Sequence, residues 1–128
     1  MIIHINDFNT VGELQERFSE LFPFLKMEFY EHRHHLYGPL HNQKPIPKET
    51  PISEIRKSHH NGHLVLQSTD KTGDVEQAFW KEFNLNVQIY RREGDAWVET
   101  LDSNNLSLHA QNDAGRALSM MPGTIRDN

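Results

Sequence analysis

"TVGELQERFSELFPFLKMEFY", Thr10 to Tyr30, carries two hydrophobic periods back to back, and the switch between them sets the reading of the whole chain. The first half has the 3.6-residue period. Val11, Leu14, Phe18, Leu21 and Phe22 form one apolar stripe, as a helix docked on a core requires. Thr10 is a good N-cap, and Glu13 three residues on completes a capping box. Pro23 ends the helix. From Leu25 the period becomes two. Leu25, Met27 and Phe29 face one side, while Lys26, Glu28, Tyr30 and His32 face the other, and the strand can extend to His34.

The pattern returns in "DVEQAFWKEFNLNVQIY", Asp74 to Tyr90. Asp74 reads as N-cap, Val75, Ala78, Phe79 and Phe83 as the stripe, and Val87, Ile89 and Tyr90 lie in the strand that follows. Each copy is preceded by a short strand: "IIHIN" from Ile2, and "HLVLQ" from His63. The second copy runs on into a hairpin, "LNVQIYRREGDAWVET". A two-residue loop at Glu93-Gly94 pairs Tyr90 with Trp97 and Ile89 with Val98, whereas a three-residue loop sets Glu99 against Ile89 on the core face. A short helix starts near Thr50-Pro51, and a third spans Ser107–Ala114, stopped by Gly115.

The order β-α-β, then β-α-β-β, predicts an α+β fold. Two interleaved split β-α-β units give the ferredoxin-like sandwich. Its antiparallel sheet would have strand order 5-4-1-3-2, with helices on one face. The expected domain is residues 1–115, with 116–128 as a flexible tail.

The chain's 128 residues suffice for one real core. Its 36% hydrophobic and 24% charged residues fit a soluble globular protein. No apolar run approaches the roughly 20 residues of a membrane span, and the start "MIIHINDF" has no signal-type core, so a cytoplasmic location off the membrane is expected. There is no cysteine, which removes disulfide and thiol chemistry. Formal charge is −5 with histidine neutral. Thirteen Lys and Arg plus nine His against eighteen Asp and Glu would give +4 with every histidine protonated. An acidic chain whose basic pairs are as small as Arg56-Lys57 and Arg91-Arg92 argues against nucleic acid.

In the ferredoxin-like order the second strand ends beside the start of the third. His32 and His34 would then meet His63, with Asp7 at the same end of the sheet. Three imidazoles and a carboxylate can hold a transition metal such as Zn²⁺, although no spacing motif such as H-E-x-x-H is present. His59, His60 and His109 read as solvated surface residues, His35 points away, and His41 sits in a loop. The face away from the helices would gather His4, Tyr30, Val65, Tyr90 and Trp97. Several aromatic side chains on one open face mark a covered surface. The expected function is a small binding or interaction module, most economically a homodimer, that uses this face for itself, a partner protein or a ligand. A histidine-dependent metalloprotein or small metalloenzyme is the alternative. No nucleophile elbow, phosphate loop or dinucleotide-binding glycine pattern is present.

Overall fold

The structure is a computed structural model that describes residues 1–31 and 43–120. The capping box of the first helix forms as the sequence requires. Thr10 Oγ1 accepts from the Glu13 amide at 3.2 Å, and a Glu13 carboxylate oxygen accepts from the Thr10 amide at 2.9 Å. This opens α1, Val11–Leu21, which follows strand β1, Ile2–Ile5, and leads into β2, Leu25–Tyr30. A short 3-10 turn at Ile52–Glu54 precedes β3, Gly62–Val65. Then come α2, Thr72–Phe83; β4, Asn86–Glu93; β5, Ala96–Glu99; a second 3-10 turn, Leu101–Ser103; and α3, Leu108–Met120.

The fold is α+β, with three helices and two small antiparallel sheets among the described residues. One sheet is β1-β3 and the other is β2-β4-β5. The single five-stranded sheet of order 5-4-1-3-2 is therefore overturned, and with it the ferredoxin-like topology. Side-chain parity tells which face of a strand is buried and is silent on which strand lies alongside. The faces are as expected: Ile3, Ile5, Leu25, Met27, Phe29, Leu64, Leu66, Val87 and Ile89 are all buried in one core. The neighbours are different. β3 lies beside β1, with Ile3 opposite Leu64 and His4 opposite His63. β2 lies beside β4, with Met27 opposite Ile89 and Phe29 opposite Val87.

This pairing has a simple cause. The echo between the two halves is structural, and each strand pairs with its own counterpart. The loop bonds repeat pair by pair. The Val11 amide donates to Thr50 O at 2.9 Å, and that of Thr72 to Leu106 O at 2.9 Å. The Gly12 amide donates to Lys48 O at 2.8 Å, and that of Gly73 to Asn104 O at 2.7 Å. The Ile52 amide donates to Asn9 O at 2.8 Å, and that of Leu108 to Asp70 O at 2.9 Å. Isolated bridges join Thr10 to Pro51 and Lys71 to Ser107. The chain thus carries a β-α-β unit twice, in residues 2–30 and 62–93, and the second copy runs on through β5 and a 3-10 turn into α3. Antiparallel pairing of each strand with its equivalent is what an approximate two-fold axis produces, as in an isologous dimer.

Three local expectations are corrected. The hairpin loop is Gly94-Asp95, so Tyr90 faces Glu99 and Arg92 faces Trp97. Gly94, at φ 65°, takes the first loop position, where a tight hairpin needs a left-handed residue. The shift by two keeps Tyr90 and Trp97 on one side, but it sets Val98 against Arg91 and leaves it 38% exposed rather than in the core. Next, α2 starts at Thr72, ahead of Asp74, because carbonyls of Leu106 and Asn104 satisfy its first amides without a side-chain cap. Finally, Gly115 does not end α3. The helix continues to Met120, and the missing side chain lets it settle on Phe24 and the Arg92 carbonyl.

Candidate functional site

Splitting the sheet separates the residues expected to share one face. His4 and Val65 belong to the β1-β3 ribbon, while Tyr30, Tyr90 and Trp97 belong to the larger sheet. On the ribbon's outer side Ile2 stands opposite Val65, with exposures of 44% and 51%. His4 and His63 face each other beyond this pair, their rings 6.0 Å apart.

The tyrosines are differently employed. Tyr30 and Tyr90 are counterparts in the two units and both are buried. Their hydroxyls meet at 2.5 Å. Between them Glu28 faces Gln88, and Gln88 is wholly buried, with its side-chain oxygen lacking a partner among the described residues. Burial raises both phenols above the ordinary tyrosine range, and for Tyr30 the bond to Tyr90 adds to this. They remain neutral phenols that tie the two units together. Trp97 is 39% exposed and carries the Lys26 ammonium 5.0 Å from its ring centre.

Asp7 sits just past β1, and nothing in the local sequence marks its partners. Arg56 follows the first 3-10 turn with its side chain fully buried, and it aims Nε and Nη2 at Asp7 Oδ1, at 3.0 and 2.8 Å. Nη2 also reaches Asn61 Oδ1, and Nη1 reaches the carbonyls of His60 and Phe83. All five guanidinium N–H groups are thereby used. The other Asp7 oxygen lies 2.8 Å from His59 Nδ1. The Arg56 hydrogen bonds hold the Asp7 carboxyl below the usual carboxylate range, with His59 contributing further. A buried guanidinium that is fully matched is a structural clamp. It fixes the connection into β3 against the end of α2. His59, which reads from sequence as a solvated loop residue, is oriented by this clamp and remains about half exposed.

Of the residues expected to hold a metal, His32 and His34 lie outside the described residues. Their meeting with His63 requires a β2-β3 pairing, and β3 pairs with β1 instead. His63 faces His4, and Asp7 is engaged by Arg56 and His59. Among the described residues no group of three or more His, Asp or Glu side chains is arranged to hold a metal ion. Among the described residues no helix is long and apolar enough to cross a membrane.

Two clefts adjoin on the surface. One, of 530 Å³, is lined by Glu31, Ile55, Lys57, Trp80, Asn84 and Asn86, among others. The second, of 540 Å³, shares Glu31, Glu54 and Ile55 with it and continues past Pro45 and Pro47. No periodicity announces either cleft in the sequence, because their walls come from segments far apart in the chain. Comparison with protein families, curated proteins and solved structures finds no match for this chain.

Proposed function

We propose that this chain is a small interaction module that self-associates through the outer face of the β1-β3 ribbon. One observation supports the reading: Ile2 and Val65 stand directly opposite each other and stay about half exposed. Apolar side chains clustered on an open strand pair are a surface that gains by being covered. A two-fold contact between copies would bring each strip onto itself. The patch is small, so the association is weak and depends on concentration.

Sedimentation of the intact chain over a concentration series tests this. The wild type should move toward dimer as concentration rises. Val65→Lys should remain monomeric with an unchanged melting temperature, because Val65 is about half exposed and lies outside the buried core. A wild type that stays monomeric to millimolar concentration, or a Val65→Lys variant that dimerises equally well, defeats the reading.

A further inference from the structure

Three of the described histidines are committed to a neighbour. His59 is held by Asp7, His60 stacks on Phe83 with ring centres 6.0 Å apart, and His109 lies 3.1 Å from Asp113 on α3. His4 and His63 have only each other among the described residues, and both are exposed. The ladder sets how closely they stand. The Met1 amino group donates to Leu66 O at 3.0 Å, and the Leu66 amide returns a bond to Met1 O at 2.7 Å. Met1 and Leu66 thus exchange both bonds, and along an antiparallel ladder such pairs alternate with pairs that exchange none. Counting on from there, Ile2-Val65 is of the second kind, Ile3-Leu64 of the first, and His4-His63 of the second again. Pairs of the second kind bring their Cα atoms to about 4.5 Å and their side chains closest together.

Two imidazoles so placed form a chelating pair. Imidazole nitrogens bind Zn²⁺ at about 2.0–2.1 Å, which puts the ring centres of two ligands on one ion roughly 5 Å apart. The 6.0 Å separation of His4 and His63, with 56° between the rings, closes to that by a small side-chain rotation. Neither strand carries a Lys or Arg to repel a cation, and the chain's formal charge is −5. Two imidazoles are half of a closed site, because structural zinc is held by four ligands in tetrahedral geometry. Symmetry can supply the other half. His4 and His63 share the outer face with Ile2 and Val65, two residues along each strand. A two-fold axis running along the ribbon between its strands sets Ile2 and Val65 on their own copies and the histidine pair on its own copy. Facing sheets pack about 10 Å apart, a gap that opposed imidazoles and an ion between them can span.

We propose that His4 and His63 bind a divalent transition metal of the zinc class, and that a second copy of this chain completes the site with its own His4 and His63. This rests on the self-association proposed above, and the ion regulates it by joining two copies whose apolar contact alone is weak. Four imidazole nitrogens select Zn²⁺, Ni²⁺ or Cu²⁺ over Mg²⁺ and Ca²⁺, which take oxygen ligands.

The test is sedimentation of the intact chain, free of any histidine tag, in EDTA and with Zn²⁺ at one ion per two chains. Zinc should tighten the dimer at least ten-fold, and titration calorimetry should count one ion per two chains. Mg²⁺ should have no effect. His4→Ala and His63→Ala should each abolish the zinc effect and keep the wild-type melt in EDTA, since both side chains are exposed. A wild type that dimerises in EDTA and is not tightened by zinc overturns the metal site and leaves the self-association standing. Zinc-driven dimers that survive either histidine variant, or one ion bound per chain without tighter association, overturn it as well. A chain that is monomeric in EDTA, dimerises with zinc and loses this in both variants upholds the metal site and removes the apolar contact as the cause of association.

Discussion

Gln15 and Glu76 occupy equivalent positions on the two principal helices, and each completes the backbone of a strand. Gln15 Nε2 donates to Met27 O at 2.8 Å, and Glu76 Oε2 accepts from the Ile89 amide at 2.8 Å. The glutamate is buried, and burial pushes its carboxyl up to about 8 despite the opposing pull of the Ile89 bond. The folded state thus holds a proton that the unfolded chain releases near 4.5. Stability from this proton is fully present below about pH 4.5 and is lost as pH rises through about 8. Glu76→Gln keeps an acceptor for the Ile89 amide and carries no charge. Denaturant unfolding from pH 5 to 9 should show the wild type losing on the order of 3 kcal/mol relative to this variant. Parallel pH profiles for the two proteins would refute the assignment. Neither this role nor that of Arg56 is legible in the sequence. A glutamate beside a helix stripe and one arginine of a basic pair are ordinary surface residues until tertiary contacts bury them.

At the scale of elements, α3 is the clearest case of a signal with two meanings. Glycine after a helical run marks a stop when it takes the left-handed conformation, and marks close packing when it stays inside the helix. Gly115 is of the second kind. An alanine in an unobstructed helix interior would gain about 1 kcal/mol. Here the new methyl would stand 3.1 Å from the Arg92 carbonyl oxygen and 3.0 Å from Phe24 Cβ, both backbone or close to it. Gly115→Ala should therefore reverse the usual sign and cost about 1–2 kcal/mol by thermal or denaturant unfolding. A stabilised variant would mean that α3 sits more loosely on the sheet. α1 is the contrasting element. Its capping box, apolar stripe and proline stop are all local, and each is found where the sequence implies it.

Across the whole molecule, the two units do not have separate cores. Phe18 and Met27 of the first and Phe79 and Ile89 of the second belong to one buried cluster, and on the other face of the β2-β4 pair the counterparts Tyr30 and Tyr90 join their hydroxyls. Neither unit can bury its apolar face alone, so the chain should unfold as one. Both tryptophans, Trp80 and Trp97, lie in the second unit, whereas far-UV circular dichroism reports helices from both. Coincident denaturant transitions by the two probes are expected. A fluorescence midpoint separated from the dichroism midpoint would show two independently stable halves.

The sequence by itself determined the elements, their inward faces and the likeness between residues 10–30 and 74–90, because hydrophobic period, capping and turn chemistry act over a few residues. Tertiary structure alone decided that β1 and β2 pair with their counterparts β3 and β4, that Arg56 and His59 together hold Asp7, and that Gly115 packs inside α3 instead of ending it. Those outcomes depend on which edges and side chains meet across long stretches of chain, and alternation along a strand is the same whichever neighbour it finds.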